Sequence, residues 1–344
     1  MDYLRRDIRI IKVSLIIIAS VVLLFVLRLF SFIFIPLFLA LFIATLLLPV
    51  LSWFESKKIP HWLGIVIIVI ISLLFFWVNA IILQKTSVEL FHSKDELLLK
   101  ANQKINPLLE NVQNFLGIEK SPSTSIVVDF KELVEKNSGK IVSKLSSFVS
   151  GLFMTFFFLA LFLTGAHMFE TFLNRVTDND KDSIHVFREI KSSLSGFIKV
   201  KFITSLLTGI GFGLVVMFFG VKFVLFWALA TFLLNFVQLI GSFFITGVLL
   251  LFGFVEIQNT GNFLIFGSLL IALQLTIGGV LEPILMGKSF QINTISVLIS
   301  LAVWGFIFGI AGLVLAIPIT VFLKMVLERI PATQSLAKLL TRVD

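Results

Sequence analysis

Residues Leu281–Pro318 read LEPILMGKSFQINTISVLISLAVWGFIFGIAGLVLAIP, and this stretch decides the fold. A Glu282-Pro283 pair ends one long apolar run, a short Gly287-Lys288 loop follows, and a second apolar run carries Gly305, Gly309 and Gly312 before Pro318. Carboxylates, prolines and glycines are costly or disruptive in a bilayer. They persist where a helix is broken, closely packed or lining a pathway. The stretch therefore predicts a polytopic helical membrane protein that moves something, rather than a simple anchor.

Composition agrees. The chain has 344 residues, 58% hydrophobic and 14% charged, with a mean hydropathy of +1.06. Soluble domains run at about 45–50% apolar and about 25% charged. Apolar runs of about 20 residues recur, each long enough to cross roughly 30 Å of hydrocarbon. The expected fold is all-α, with about eight membrane segments. The lipid bilayer is its first partner. The net charge of +8 fits Lys and Arg gathered in cytoplasmic loops, and no basic block interleaved with aromatics points to nucleic acid. The chain has no cysteine, so disulfides and thiolate metal sites are excluded.

Working outward, the N-terminal region 1–83 holds three spans, the first an uncleaved one after MDYLRRDIRIIK. Residues 84–147 turn polar, with two amphipathic patterns separated by a Gly/Pro/Ser break at Gly117–Ser125, and predict a small extracytoplasmic helical subdomain. A fourth span covers 148–170. Residues 171–200 place Ile184, Phe187, Ile190, Leu194 and Phe197 on one face, as in an interfacial amphipathic linker. A C-terminal bundle fills 201–327, and 328–344 is a tail. Basic residues alternate in side, so both termini are expected in the cytoplasm. Two runs, 223–254 and 292–326, are too long for a perpendicular crossing at 1.5 Å per residue. Each is strongly tilted, projects beyond the bilayer, or is broken into a hairpin or re-entrant pair. The side of the Lys288 loop depends on that choice.

Polar groups inside the apolar runs are the site candidates. Glu282 is a cation or proton site, or a gate pairing with Lys288; the plainer alternative is an interfacial carboxylate at a helix end. Asn235 and Gln238, with Gly241 beyond them, could serve a polar substrate, cap a broken helix, or simply bond between helices. Gln274 is similar but alone. Gly305-x-x-x-Gly309 suits close helix packing, with a hinge as the alternative, and Pro318 is expected to mark a kink. No P-loop, GxSxG or HExxH pattern occurs. No cofactor, metal or enzymatic activity is expected.

The chain also resembles the autoinducer-2 exporter family of bacterial inner-membrane proteins, also described as PerM-like permeases. The similarity covers nearly the whole length. Pro36, Ala40, Ala44 and Leu48-Pro49 followed by Lys58-Ile59-Pro60 resemble its first hairpin, and Phe187–Phe202 its amphipathic linker. Glu282-Pro283, Gly287-Lys288, Trp304-Gly305, Gly309, Gly312 and Pro318 stand where the family pattern puts them. Departures are Gln238 where proline is usual, Val200 where glycine is usual, and Asn293-Thr294 in place of a proline after the Gly-Lys loop. The resemblance implies export of small signalling molecules or metabolites from the inner membrane. Some relatives are linked instead to sodium/proton exchange. A scaffold binding a partner through 84–147 is a third alternative from another class. The glycines fit self-association as well as packing within one chain.

Overall fold

The computed structural model describes residues 2–93, 96, 97, 99–107, 151–166, 181–238, 240–286, 293–329, 333, 334, 337 and 340. The described residues are helical throughout, and no strand occurs among them. Helix α1 is Asp2–Leu29, α2 Ser31–Ser56 and α3 His61–His92; α4 is Gly151–Ala166. Then follow α5 (Lys181–Phe218), α6 (Val224–Leu234), α7 (Ile240–Glu256), α8 (Thr260–Gln274), a π-helical segment Leu275–Leu281, α9 (Glu282–Met286) and α10 (Thr294–Arg329). Among the described residues, five helical stretches are long and apolar enough to cross a membrane, and four shorter apolar helices accompany them. Leucines, isoleucines and phenylalanines face outward along these stretches; Phe153 is 80% exposed and Ile310 77%. Lipid is the solvent such surfaces require. The protein is a multi-pass helical membrane protein.

The expected extracytoplasmic subdomain falls mostly on 108–147, outside the described residues, and Lys288 lies outside them too. The expected linker over 171–200 has no break after it: from Lys181 onward it runs as one helix with the following span.

The chain forms two compact units. The first comprises Met1–Val69, Gly151–Ile198 and Lys288–Asp344. In it α1, α2 and α10 pack on one another. Helix α10 is not one rod: Gly309 sits at φ 61°, ψ −140°, outside helical geometry. Residues on either side of it meet. Trp304 Nε1 donates to Thr320 Oγ1 at 3.2 Å, and Thr320 Oγ1 donates to Ser300 Oγ at 2.8 Å. Sixteen residues of straight helix would separate Trp304 and Thr320 by about 24 Å. A Cβ on Gly312 would collide with the Trp304 carbonyl, and one on Gly305 would lie 2.6 Å from Leu313 Cδ2. So α10 is a hairpin of two antiparallel arms, 294–308 and 310–329, packed backbone to backbone at glycines. Pro318 lies buried within the second arm, and the chain reverses at Gly309 rather than there. Asn293 N donates to Leu340 O at 3.1 Å, which puts the hairpin's entry beside the tail.

The second unit comprises Ile70–Ser150 and Lys199–Gly287. Here α6 and α7 form another hairpin: the Trp227 and Phe252 rings pack at a tilt of 51° with centroids 5.0 Å apart. The 11 residues of α6 reach only about 16 Å, half of the roughly 30 Å hydrocarbon layer. An arm this short suits a re-entrant hairpin rather than a full crossing. Its apolar flank joins Phe212, Val216, Ile245, Leu249, Phe266 and Leu270 in the unit's core. Glycines again set the approach of helices. A Cβ at Gly209 would lie 2.8 Å from the Ala228 carbonyl oxygen, and one at Gly213 2.9 Å from Ala228 Cβ.

The two roots of this hairpin are strapped by residues 96–107. Lys100 Nζ bridges Glu96 (2.9 Å) and Glu256 (3.3 Å). Lys222 Nζ pairs with Glu96 at 3.0 Å, and Lys222 N donates to Glu256. Lys104 Nζ donates to the Phe254 and Ile257 carbonyls at the end of α7. Cations belong at a helix C-terminus, where carbonyls are left unpaired.

A buried polar column in the second unit

Helix α5 is apolar in its membrane half except along one stripe. Lys201, Thr204, Ser205 and Thr208 recur at helical spacing and are at most 2% exposed. Thr208 Oγ1 donates to the Thr204 carbonyl at 2.8 Å, which satisfies that hydroxyl within the helix. The Lys201 ammonium has no such local partner and reaches across to Glu282. Its Nζ lies 2.8 Å from Oε1 and 3.1 Å from Oε2. Thr204 Oγ1 stands 3.3 Å from Oε2 of the same carboxylate. Both charged residues are buried, Lys201 at 2% and Glu282 at 3% exposure. An isolated buried charge would cost several kcal/mol or more. The bidentate contact lets each ion replace the other's water.

Glu282 is held there by an irregular turn. Pro283 has no N–H and would crowd the carbonyl four residues earlier in a regular helix. The preceding turn is widened instead: Leu275–Leu281 is π-helical, and Glu282 N donates to Ile277 O. Single π turns of this kind occur frequently at functional sites. Gln274, the last residue of α8, lies over Gly278, and its Oε1 is buried without a partner.

The tip of the re-entrant hairpin adjoins the same stripe of α5. Asn235, 1% exposed, donates from Nδ2 to Ser205 Oγ at 3.1 Å and accepts from Ser242 Oγ at 2.7 Å. It therefore ties both arms of the hairpin to α5. Gly241 lets the arms meet, since a Cβ there would overlap the Leu234 carbonyl. Gln238, at the tip, has its Oε1 buried and unpartnered. So do Thr231, through Oγ1, and Trp227, through Nε1, at one-turn spacing along α6. Four hydrogen-bonding atoms are thus left open beside a network that is otherwise complete. Unsatisfied buried groups cost about 1–3 kcal/mol each, and such groups call for a ligand, water or another conformation to satisfy them.

The structure thus brings Glu282, Asn235, Gln238 and Gln274 into one unit, the first two joined through a single face of α5. Gly305, Gly309, Gly312 and Pro318 belong to the other unit. The missed residue is Lys201, which opens the C-terminal bundle at 201–327 and is not among the site candidates that the sequence offers. Its stripe with Thr204, Ser205 and Thr208 was the available signal. No group of three or more His, Asp or Glu among the described residues could hold a metal ion.

Comparison with known proteins agrees with this architecture. A Haemophilus influenzae protein provisionally named as a transport protein is 31% identical over 325 residues, covering 90% of each chain. The AI-2 transport protein TqsA of Escherichia coli is 26% identical over 323 residues, again covering 90% of each. The Bacillus subtilis protein YrrI, also provisionally named for transport, is 24% identical over 321 residues and 86% of each chain. The family model for AI-2E family transporters matches residues 15–332. A multi-pass helical chain with a re-entrant hairpin, a π turn and a buried polar column, matched over nearly its full length, belongs to the AI-2E family of bacterial membrane transporters.

Proposed function

We propose that the chain exports a small polar signalling molecule or metabolite across the bacterial inner membrane, as a secondary or facilitative transporter with both termini in the cytoplasm. Autoinducer-2 is the first cargo to test, because the relative TqsA is named for it. The observation that carries this reading is the column itself: Lys201, Glu282, Thr204, Ser205, Asn235 and Ser242 are buried together in an apolar, membrane-embedded unit. A fold needing only stability would fill this space with apolar side chains, since buried ion pairs contribute little net stability. Polar residues at membrane depth mark pathways, and these lie on α5 and α9 beside the tip of the α6–α7 hairpin, next to a break in helical regularity of the kind that transporters use for binding. The transport step draws on no nucleotide-binding motif in the sequence.

The test is efflux from vesicles reconstituted with the purified protein and loaded with autoinducer-2. Wild type should release the cargo faster than empty vesicles, and Glu282→Gln should reduce release to the empty-vesicle rate. Equal release by both proteins overturns the reading. A second reading is sodium/proton antiport, which requires Lys201 to release the Glu282 carboxylate so that a transported cation and a proton can share it. A pH-sensitive dye inside the vesicles separates the two: sodium-driven dye response without autoinducer-2 efflux favours antiport.

A further inference from the structure

A membrane carboxylate that couples transport to a cation has to be free to take that cation. Glu282 is not free: the Lys201 ammonium occupies both of its oxygens, at 2.8 and 3.1 Å. Among the described residues, one further polar side chain meets that carboxylate: Thr204, through Oγ1. The two charged side chains are 3% and 5% exposed, so no solvent ion reaches the carboxylate while Lys201 holds it. A Lys ammonium is a compact point charge on a flexible stem. It resembles a small monovalent cation in charge and size, but it is tethered to α5 and cannot leave.

We propose that Lys201 is the specificity-determining residue of this site: its ammonium is a built-in substitute for a mobile cation, and it makes the site electrically neutral and indifferent to sodium and potassium. Removing it turns Glu282 into a binding site for small monovalent cations, ammonium and alkali ions alike. The proposal shares its site with the transport reading and rests on it for the site's role. Its test reads binding alone, so either can fail without the other.

The experiment is thermal unfolding of the purified full chain in detergent at pH 8.5. Choline, sodium, potassium and ammonium chlorides are compared at equal ionic strength. Wild type should melt at one temperature in all four. Lys201→Met should melt lower in choline and rise by at least about 3 °C in one or more of the small cations, as binding to the folded state alone requires. The double variant Lys201→Met with Glu282→Gln should lose that response, because no carboxylate remains. The proposal is overturned if wild type is itself stabilised by sodium or potassium over choline, if Lys201→Met responds to no cation, or if the double variant responds as strongly. Should Lys201→Met be too unstable to purify in choline, extraction is repeated in potassium and ammonium salts. Recovery in those salts supports the proposal; failure in every salt, with the double variant recovered, contradicts it.

Discussion

The molecule folds two long apolar runs back on themselves, and it does so with opposite chemistry. The hairpin of α6 and α7 turns through a polar tip, where Asn235 bonds Ser205 and Ser242. The hairpin within α10 turns at a single glycine between Phe308 and Ile310, and its polar groups lie in the stem, where Trp304, Thr320 and Ser300 form a chain of bonds that ends on the Ser296 carbonyl. The α10 tip is apolar and packs aromatic rings: Phe308 lies 6.0 Å from Phe38, and Arg28 stands 4.3 Å over Phe306. One hairpin delivers hydrogen-bonding groups into its unit's interior and leaves some of them unpartnered. The other satisfies its own and serves as a clasp. The comparison teaches that reversing a helix in a membrane does not by itself make a site; what matters is whether the reversal carries unsatisfied polar groups with it.

The largest effect should come from the ion pair beside the polar tip. Replacing either Lys201 or Glu282 alone by Ala strands a buried charge and should cost about 3–5 kcal/mol in unfolding experiments. The paired replacement Lys201→Met with Glu282→Gln should cost far less. Equal losses would mean the pair is not coupled.

The turns come next. Gly309 holds a conformation that side chains rarely adopt, so Gly309→Val should destabilise the protein by about 1–3 kcal/mol. Export per folded molecule should survive in it. Gly241→Ala should cost a comparable amount, because the Leu234 carbonyl must move, yet it should abolish export. Vesicle efflux normalised to folded protein checks both, and matching losses would erase the distinction between the hairpins.

Smaller still are the hydrogen bonds. Thr320 and Asn235 each make two such bonds, so Thr320→Val and Asn235→Leu should each cost about 1.2 kcal/mol, at about 0.6 kcal/mol per bond between membrane helices. Export should fall with Asn235→Leu and not with Thr320→Val.

The strap at the hairpin roots should give the smallest effect. Hydrogen bonds from Lys100 and then Lys222 hold the Glu96 carboxyl below its usual pKa, and Glu96 holds the Lys100 ammonium above its own. A carboxylate with a depressed folded pKa contributes stability above its unfolded value and loses it as pH falls through the folded one. Protection of 99–107 against hydrogen exchange, relative to the intrinsic amide rate at each pH, should therefore fall below the ordinary carboxylate range and stay flat from pH 6 to 8. Desolvation lowers the Lys104 pKa, so that contact should weaken in a different window, at alkaline pH, if charge matters to it. Protection unchanged under acid would show that the strap holds without Glu96.

Much of this was legible from residues. The lengths of 223–254 and 292–326 admitted folding back, and both runs fold back. Glu282 stood out because a carboxylate beside proline is expensive in lipid. What stayed hidden has physical reasons. Lys201 lies ten residues inside α5's membrane stretch, which begins at Lys191, but neighbouring Lys199 and Lys191 disguise it as interface charge. Threonine and serine bond their own helix backbone, as Thr204 and Thr208 do, so a hydroxyl stripe leaves little trace in hydropathy. The α6–α7 turn forms without the proline that the family pattern favours, because Asn235 and Gly241 suffice. Proline at 318 drew attention away from Gly309, since a glycine's backbone angle cannot be read from a sequence rich in glycine.

The most direct measurement compares the medium of cells overproducing wild type, Glu282→Gln or neither, at matched membrane abundance. The polar column predicts at least one small polar metabolite that accumulates outside with wild type and falls to the empty-vector level with Glu282→Gln. An identical excess with both proteins would contradict it.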